Sequence, residues 1–116
     1  MLRIPKVLER RLNQPDNAYN CWGATQKFFQ PRQNKLHWAD ENEMKDWLET
    51  YTVKCNPKKH NIVAIYDNEG LIHTAVHIGQ GKYYHKRGSY TAEIAPSINE
   101  VLDTYSGHVE YRLYAK

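Results

Sequence analysis

The chain is predicted to fold as an α+β domain in which a helix packs against an antiparallel β-sheet, and three observations carry that prediction. Apolar residues recur at helical spacing in the first half, alternate with polar ones at strand spacing in the second, and glycine-bearing turns separate the strand-like runs at hairpin distances. At 116 residues the sequence is one domain's worth, 1–116, able to bury one core and too short for two. Apolar residues make up 41% and charged residues 25%, which excludes the disordered and fibrous classes.

The elements follow in order. Pro15, Asp16 and Asn17 form a turn-prone cluster with capping side chains, and Cys21 to Phe29 reads as the first helix, with Cys21, Ala24 and Phe28 on one face. Residues 40–51 carry acids in a first turn and set Met44, Trp47, Leu48 and Tyr51 at helical spacing, a second helix. Asn61 to Tyr66 is β-branched and aromatic, a first strand closed by the turn Asp67-Asn68-Glu69-Gly70. Leu71 to Ile78 is a second strand, Gly79-Gln80-Gly81 a three-residue loop, and Lys82 to Lys86 a third strand. Pro96 to Asp103 predicts a short helix, and 108–114, alternating Val109, Tyr111 and Leu113, a closing strand.

Charge and cysteine usage narrow the function classes. A net charge of +3, spread over basic pairs, describes a weakly cationic surface and gives no nucleic-acid groove. No run approaches the roughly eighteen apolar residues of a membrane span. The first twelve residues hold Arg3, Lys6, Arg10 and Arg11 and lack the apolar core of a signal peptide, so synthesis in the cytoplasm is expected, with any exit from it requiring release by a machine or by cell lysis. Cys21 and Cys55 are then expected as reduced thiols. A zinc site from Cys55 and His60 lacks paired short spacings, and no metal or organic cofactor is expected.

The chemistry-bearing pattern is a register. Strand alternation puts Leu71, His73, Ala75 and His77 on one face and Ile72, Thr74, Val76 and Ile78 on the other, the core face. With Gly79, Gln80 and Gly81 as the loop, Ile78 pairs with Lys82, His77 with Tyr83 and Ala75 with His85. His85 then lies diagonal to His73 at roughly 7–8 Å, within reach of an imidazole pair. A two-residue loop would turn His85 to the opposite face. Cys21 at a helix start feels the positive end of the helix dipole, which favours thiolate. Cys21 as nucleophile, His73 as general base and His85 as the group orienting His73 make the elements of covalent catalysis.

Asn20-Cys21-Trp22-Gly23, the strand His73-Thr74-Ala75-Val76-His77-Ile78-Gly79, and His85 twelve residues after His73 together resemble the NlpC/P60 family of papain-like cysteine peptidases. Its members place an Asp-Cys-Ser-Gly motif at a helix start, a His-Val-Gly-Ile-Tyr-Ile-Gly-type strand next, and a third polar residue after it. The likeness covers residues 17–88. It departs where Asn20 replaces the acid and Trp22 the serine, a bulky neighbour that reshapes the substrate groove. The resemblance implies a papain-like fold and hydrolysis of an amide bond, by default in peptidoglycan stem peptides. Permuted relatives that include lecithin:retinol acyltransferases run histidine before cysteine, which ranks an acyl transferase below a hydrolase here. The oxyanion would be held by the Cys21 backbone N–H and one further donor. Tyr19, Trp22, His77 and Tyr83 are the expected substrate contacts. Two readings stay open beside this one: a cell-wall peptide-binding module without turnover, which Trp22 beside the thiol would favour, and a transferase or deamidase effector acting on protein side chains.

Overall fold

A computed structural model describes residues 2–32, 35–54, 60–87, 90–105, 107 and 109–115, with the side chains of 52–54 left aside. Among the described residues four helices and six strands run in the order α1 (Lys6–Glu9), α2 (Cys21–Phe29), α3 (Glu41–Leu48), β1 (Thr52–Lys54), β2 (Ile62–Asp67), β3 (Gly70–Gly79), β4 (Lys82–Lys86), β5 (Ala92–Ala95), α4 (Ile98–Leu102) and β6 (Glu110–Ala115). The strands form one antiparallel sheet in the order β1-β6-β2-β3-β4-β5, so the chain is an α+β domain. Among the described residues no helix is long and apolar enough to cross a membrane.

The predicted 40–51 helix is shorter at both ends: Asp40 stands outside as the N-cap, its side chain accepting the Glu43 N–H at 2.8 Å, and Glu49 is the C-cap, with Thr50 and Tyr51 beyond it. Pro96 likewise precedes α4, which Ser97 caps. Sequence reading omitted α1, β1 and β5. Each is four residues or fewer, too short to show a period.

The sheet is covered on both sides. Val76, Ile78 and Tyr84 pack with Ala24 and Phe28 of α2 and Leu8 of α1, while Ile62, Ala64 and Leu71 pack with Met44 and Leu48 of α3. On the other side Val63, Ile65, Ala75 and Tyr83 pack against Val101, with Ile98, Leu102 and Tyr105 at the margin. The histidine face, expected to lie opposite the core face, is thus a second core, because α4 and the segment after it close over it.

Two irregularities in β3 correct the predicted register. Ile65 pairs with His73 but Tyr66 with Leu71, so Ile72 is an extra residue. Leu71 thereby moves to the α3 side and Ile72 joins the histidine side, opposite to simple alternation. At the other end Gly79 pairs with Lys82, leaving a two-residue turn of Gln80 and Gly81 in place of the predicted three-residue loop. Both turn residues have positive φ, 55° and 73°, as a type I′ hairpin turn demands. His77 nonetheless pairs with Tyr83 and Val76 with Tyr84, because Ile78 is also a bulge residue. Its carbonyl accepts the Leu2 N–H at 2.9 Å, a partner from outside the sheet. Turn and bulge together leave His73 and His85 on the same side.

Candidate active site

Asn20 fixes where α2 begins. Its Oδ1 accepts the Gly23 N–H at 2.9 Å and the Ala39 N–H at 3.2 Å, and its Nδ2 donates to the Ala39 carbonyl at 2.8 Å. An amide both accepts and donates, whereas a carboxylate could cap the helix but not donate to Ala39. Asn20 therefore caps α2 and ties the 37–39 segment across its first turn. Gly23 permits that approach: a Cβ there would lie 1.9 Å from the His37 carbonyl oxygen.

The start of α2 meets β3 directly. Thr25 Oγ1 donates to the Cys21 carbonyl at 2.9 Å and lies 2.7 Å from Thr74 Oγ1. Regular β3–β4 pairing ends at Val76 and Tyr84, and beyond it the Thr74 backbone N–H faces the Cys21 thiol. Cys21 and His73 line one cavity of about 350 Å³. Ile72 and Arg87 form part of its wall, and Tyr90, Thr104 and Tyr105 complete it.

Behind His73 stands His85. His73 Nε2 and His85 Nδ1 share a hydrogen bond of 2.9 Å, the rings edge-on at 79° with centroids 5.1 Å apart. Both imidazoles are buried. His73 Nδ1 is buried with no hydrogen-bond partner among the described residues, and the Tyr105 ring lies 5.2 Å from the His73 ring. On the far side of His85, Nε2 lies 3.4 Å from Glu93 Oε1, and Arg87 Nη1 is 3.6 Å from the same oxygen.

Burial decides the protonation states. It pushes the Cys21 thiol up from 9.0 to about 11, against the backbone N–H groups of Thr74, Trp22 and Cys21 and the charge of Lys86, which favour thiolate. This overturns the expectation that the helix start lowers the thiol: nearly complete desolvation outweighs the dipole. Burial likewise holds His73 well below 6.5, with His85 and Arg87 adding to the effect. His85 is lowered by burial, which Glu93 opposes and Arg87 assists. At neutral pH the resting pair is therefore a thiol and a neutral imidazole.

The four expected substrate contacts lie elsewhere. Tyr19 is fully buried in the α1/α2 core beneath the Lys86 ammonium, 4.7 Å from its ring centroid. Trp22, one position past Cys21, is rotated by the helix toward the α3 cluster and does not crowd the cavity. His77 stacks on His60 at 4.3 Å near the turn and accepts the Gly81 N–H. Tyr83 is buried, its hydroxyl 2.8 Å from His60 Nε2. Their strand faces were read correctly for His77 and Tyr83, but distance along β3 and β4 keeps both from the cavity. Glu93, Arg87, Tyr90 and Tyr105 were not anticipated. Glu93 stands opposite His85 in the β4–β5 register, which only the omitted β5 could have supplied, and Tyr105 follows α4, a helix that was expected but whose place over the sheet was not. Among the described residues no group of three His, Cys, Asp or Glu side chains could hold a metal ion, and Cys55 lies outside them.

Comparison of the chain with protein-family models, with curated protein sequences and with solved structures gives no match.

Proposed function

We propose that this protein is a papain-like cysteine hydrolase of the NlpC/P60 type that cleaves an amide bond, with peptidoglycan stem peptides as the substrate class. The observation that carries the reading is the buried His73–His85 hydrogen bond of 2.9 Å beside a cavity that Cys21 shares. The roles follow from what each atom has free. His73 Nε2 is engaged by His85, so Nδ1 is the nitrogen that takes the Cys21 proton as sulfur attacks the carbonyl carbon. Backbone N–H groups of Cys21 and Thr74, already facing the thiol, are the donors at hand for the oxyanion. Protonated His73 then gives its proton to the leaving amine as the C–N bond breaks. Water, deprotonated by His73, attacks the thioester and releases the acid and the thiol.

With thiol and imidazole both neutral at rest, proton transfer is coupled to substrate entry, which removes water and brings a carbonyl to the sulfur. That same burial supports a second reading, a peptide-binding module without turnover, since Cys21 is only 7% exposed. Mass spectrometry of peptidoglycan fragments incubated with wild type and Cys21→Ala separates the two. Cleavage by the wild type alone supports the hydrolase. Cleavage by both locates the chemistry elsewhere, and binding without cleavage favours the module.

A further inference from the structure

We infer that Glu93 is a positioning residue that, through His85, sets which nitrogen of His73 carries the proton. The inference rests on the hydrolase reading for its consequence, but not for its geometry. Glu93 is the residue directly opposite His85 across the β4–β5 ladder, so both side chains stand on the same side of the sheet. Its Oε1 lies 3.4 Å from His85 Nε2, and a carboxylate offers only lone pairs. Contact with it puts the His85 proton on Nε2. A neutral imidazole has one N–H, so His85 Nδ1 is left as an acceptor.

The next link follows from the 2.9 Å contact. Since His85 Nδ1 accepts, His73 Nε2 must donate, and His73 Nδ1 is left with its lone pair. That nitrogen is the buried one with no partner among the described residues, on a residue lining the cavity with Cys21. One carboxylate at the sheet's edge thus determines that the free nitrogen of His73 is a base. The reversed chain, with His85 Nδ1–H donating to His73 Nε2, would put His85 Nε2 lone pairs against the Glu93 carboxylate and a proton on His73 Nδ1, unable to accept one from the thiol. Arg87, 3.6 Å from Glu93 Oε1 and also in the cavity wall, holds the carboxylate toward the pair from the solvent side. When His73 is protonated in the reaction, the positive charge is separated from Glu93 by the 2.9 Å hydrogen bond to His85 and the 3.4 Å contact between His85 and Glu93.

Long-range proton–nitrogen NMR on the ¹⁵N-labelled full chain reads both tautomers directly and needs no substrate. In the wild type near pH 7.5, His73 and His85 are both expected as the Nε2–H form. Glu93→Met, which removes the acceptor, should produce a mixture at both rings, while Glu93→Gln, which keeps a carbonyl acceptor, should stay closer to the wild type. A wild-type His73 protonated on Nδ1, or tautomers unchanged in Glu93→Met, would overturn the inference. Should Glu93→Met not fold, the wild-type and Glu93→Gln spectra still decide. In a cleavage assay Glu93→Met is expected to lower kcat by about 10–100-fold with KM little changed, and Glu93→Gln to recover most of it. If the tautomers are as stated and neither protein cleaves peptides, the hydrolase reading fails while the role of Glu93 stands.

Discussion

The reactivity of Cys21 toward iodoacetamide offers the sharpest quantitative check, because burial and the helix start make opposite demands on it. Between its ordinary value of 9.0 and about 11 the thiol loses about 100-fold of its thiolate population at any pH below 9. Part of that loss returns, because a thiolate of higher pKa is intrinsically more nucleophilic, with a Brønsted slope of about 0.4–0.5, recovering about tenfold. The net expectation is alkylation about tenfold slower than a free thiol near neutral pH, and slower still because Cys21 is only 7% exposed. The assay is timed quenching across about pH 6 to 11 with the Cys21 peptide quantified by mass spectrometry and a urea-denatured sample as the free-thiol reference. The rate should keep rising beyond about pH 10, where the reference, with its ordinary value of 9.0, has levelled. Cys21 alkylating faster than the reference near pH 7, with a plateau on the acid side, would refute the neutral pair and establish a resting thiolate–imidazolium.

Three further outcomes follow from the same geometry. Asn20→Asp keeps the cap on Gly23 but sets a carboxylate against the Ala39 carbonyl where Nδ2 donated at 2.8 Å, so a loss of about 1–3 kcal/mol is expected in urea unfolding, and unchanged stability would contradict the clamp. Gly23→Ala gains about 1 kcal/mol of helix propensity, yet its Cβ would lie 1.9 Å from a backbone oxygen, so a net drop in Tm is expected and a rise would refute the close approach. His73 and His85 are both held below 6.5 by burial, so the unfolded chain binds more protons as pH falls through that value. Stability is then present above about pH 6.5 and lost below it, at up to about 1.4 kcal/mol per pH unit for each imidazole; a flat profile of urea midpoints from about pH 7 to 5 would argue against neutral buried rings.

Much of this layout was legible in the chain itself. The bounds of α2 came from the turn-prone Pro15-Asp16-Asn17 cluster and the apolar face of Cys21, Ala24 and Phe28, although the cap itself is Asn20, and β2, β3 and β4 came from β-branched runs between turns. The face shared by His73 and His85 was also anticipated, though by the wrong loop: two deviations, a shorter turn and a bulge, cancelled. No local pattern announces a bulge, because Ile78 suits a regular strand as well as an irregular one. The bulge at Ile72 had no compensation, and Leu71 and Ile72 were therefore assigned to reversed faces. The thiol's state was beyond sequence reading for a different reason. A helix start is local and visible, whereas burial depends on Tyr105 and on β3, which reach Cys21 only through the fold.

The Ile78 bulge makes the meeting of the two imidazoles depend on how the hairpin absorbs its length. With a two-residue turn, the stretch between His77 and Tyr83 keeps those two opposite each other only because Ile78 stands out of the ladder. A change of one residue there preserves the pair when the ladder takes it up as a bulge gained or lost, as loss of Ile78 would still leave Gly79 opposite Lys82 and His77 opposite Tyr83. The same change taken up as a register slip sends His85 and Tyr83 to the α2 side and Tyr84 and Lys86 to the cavity side, erasing the site without touching any residue in it.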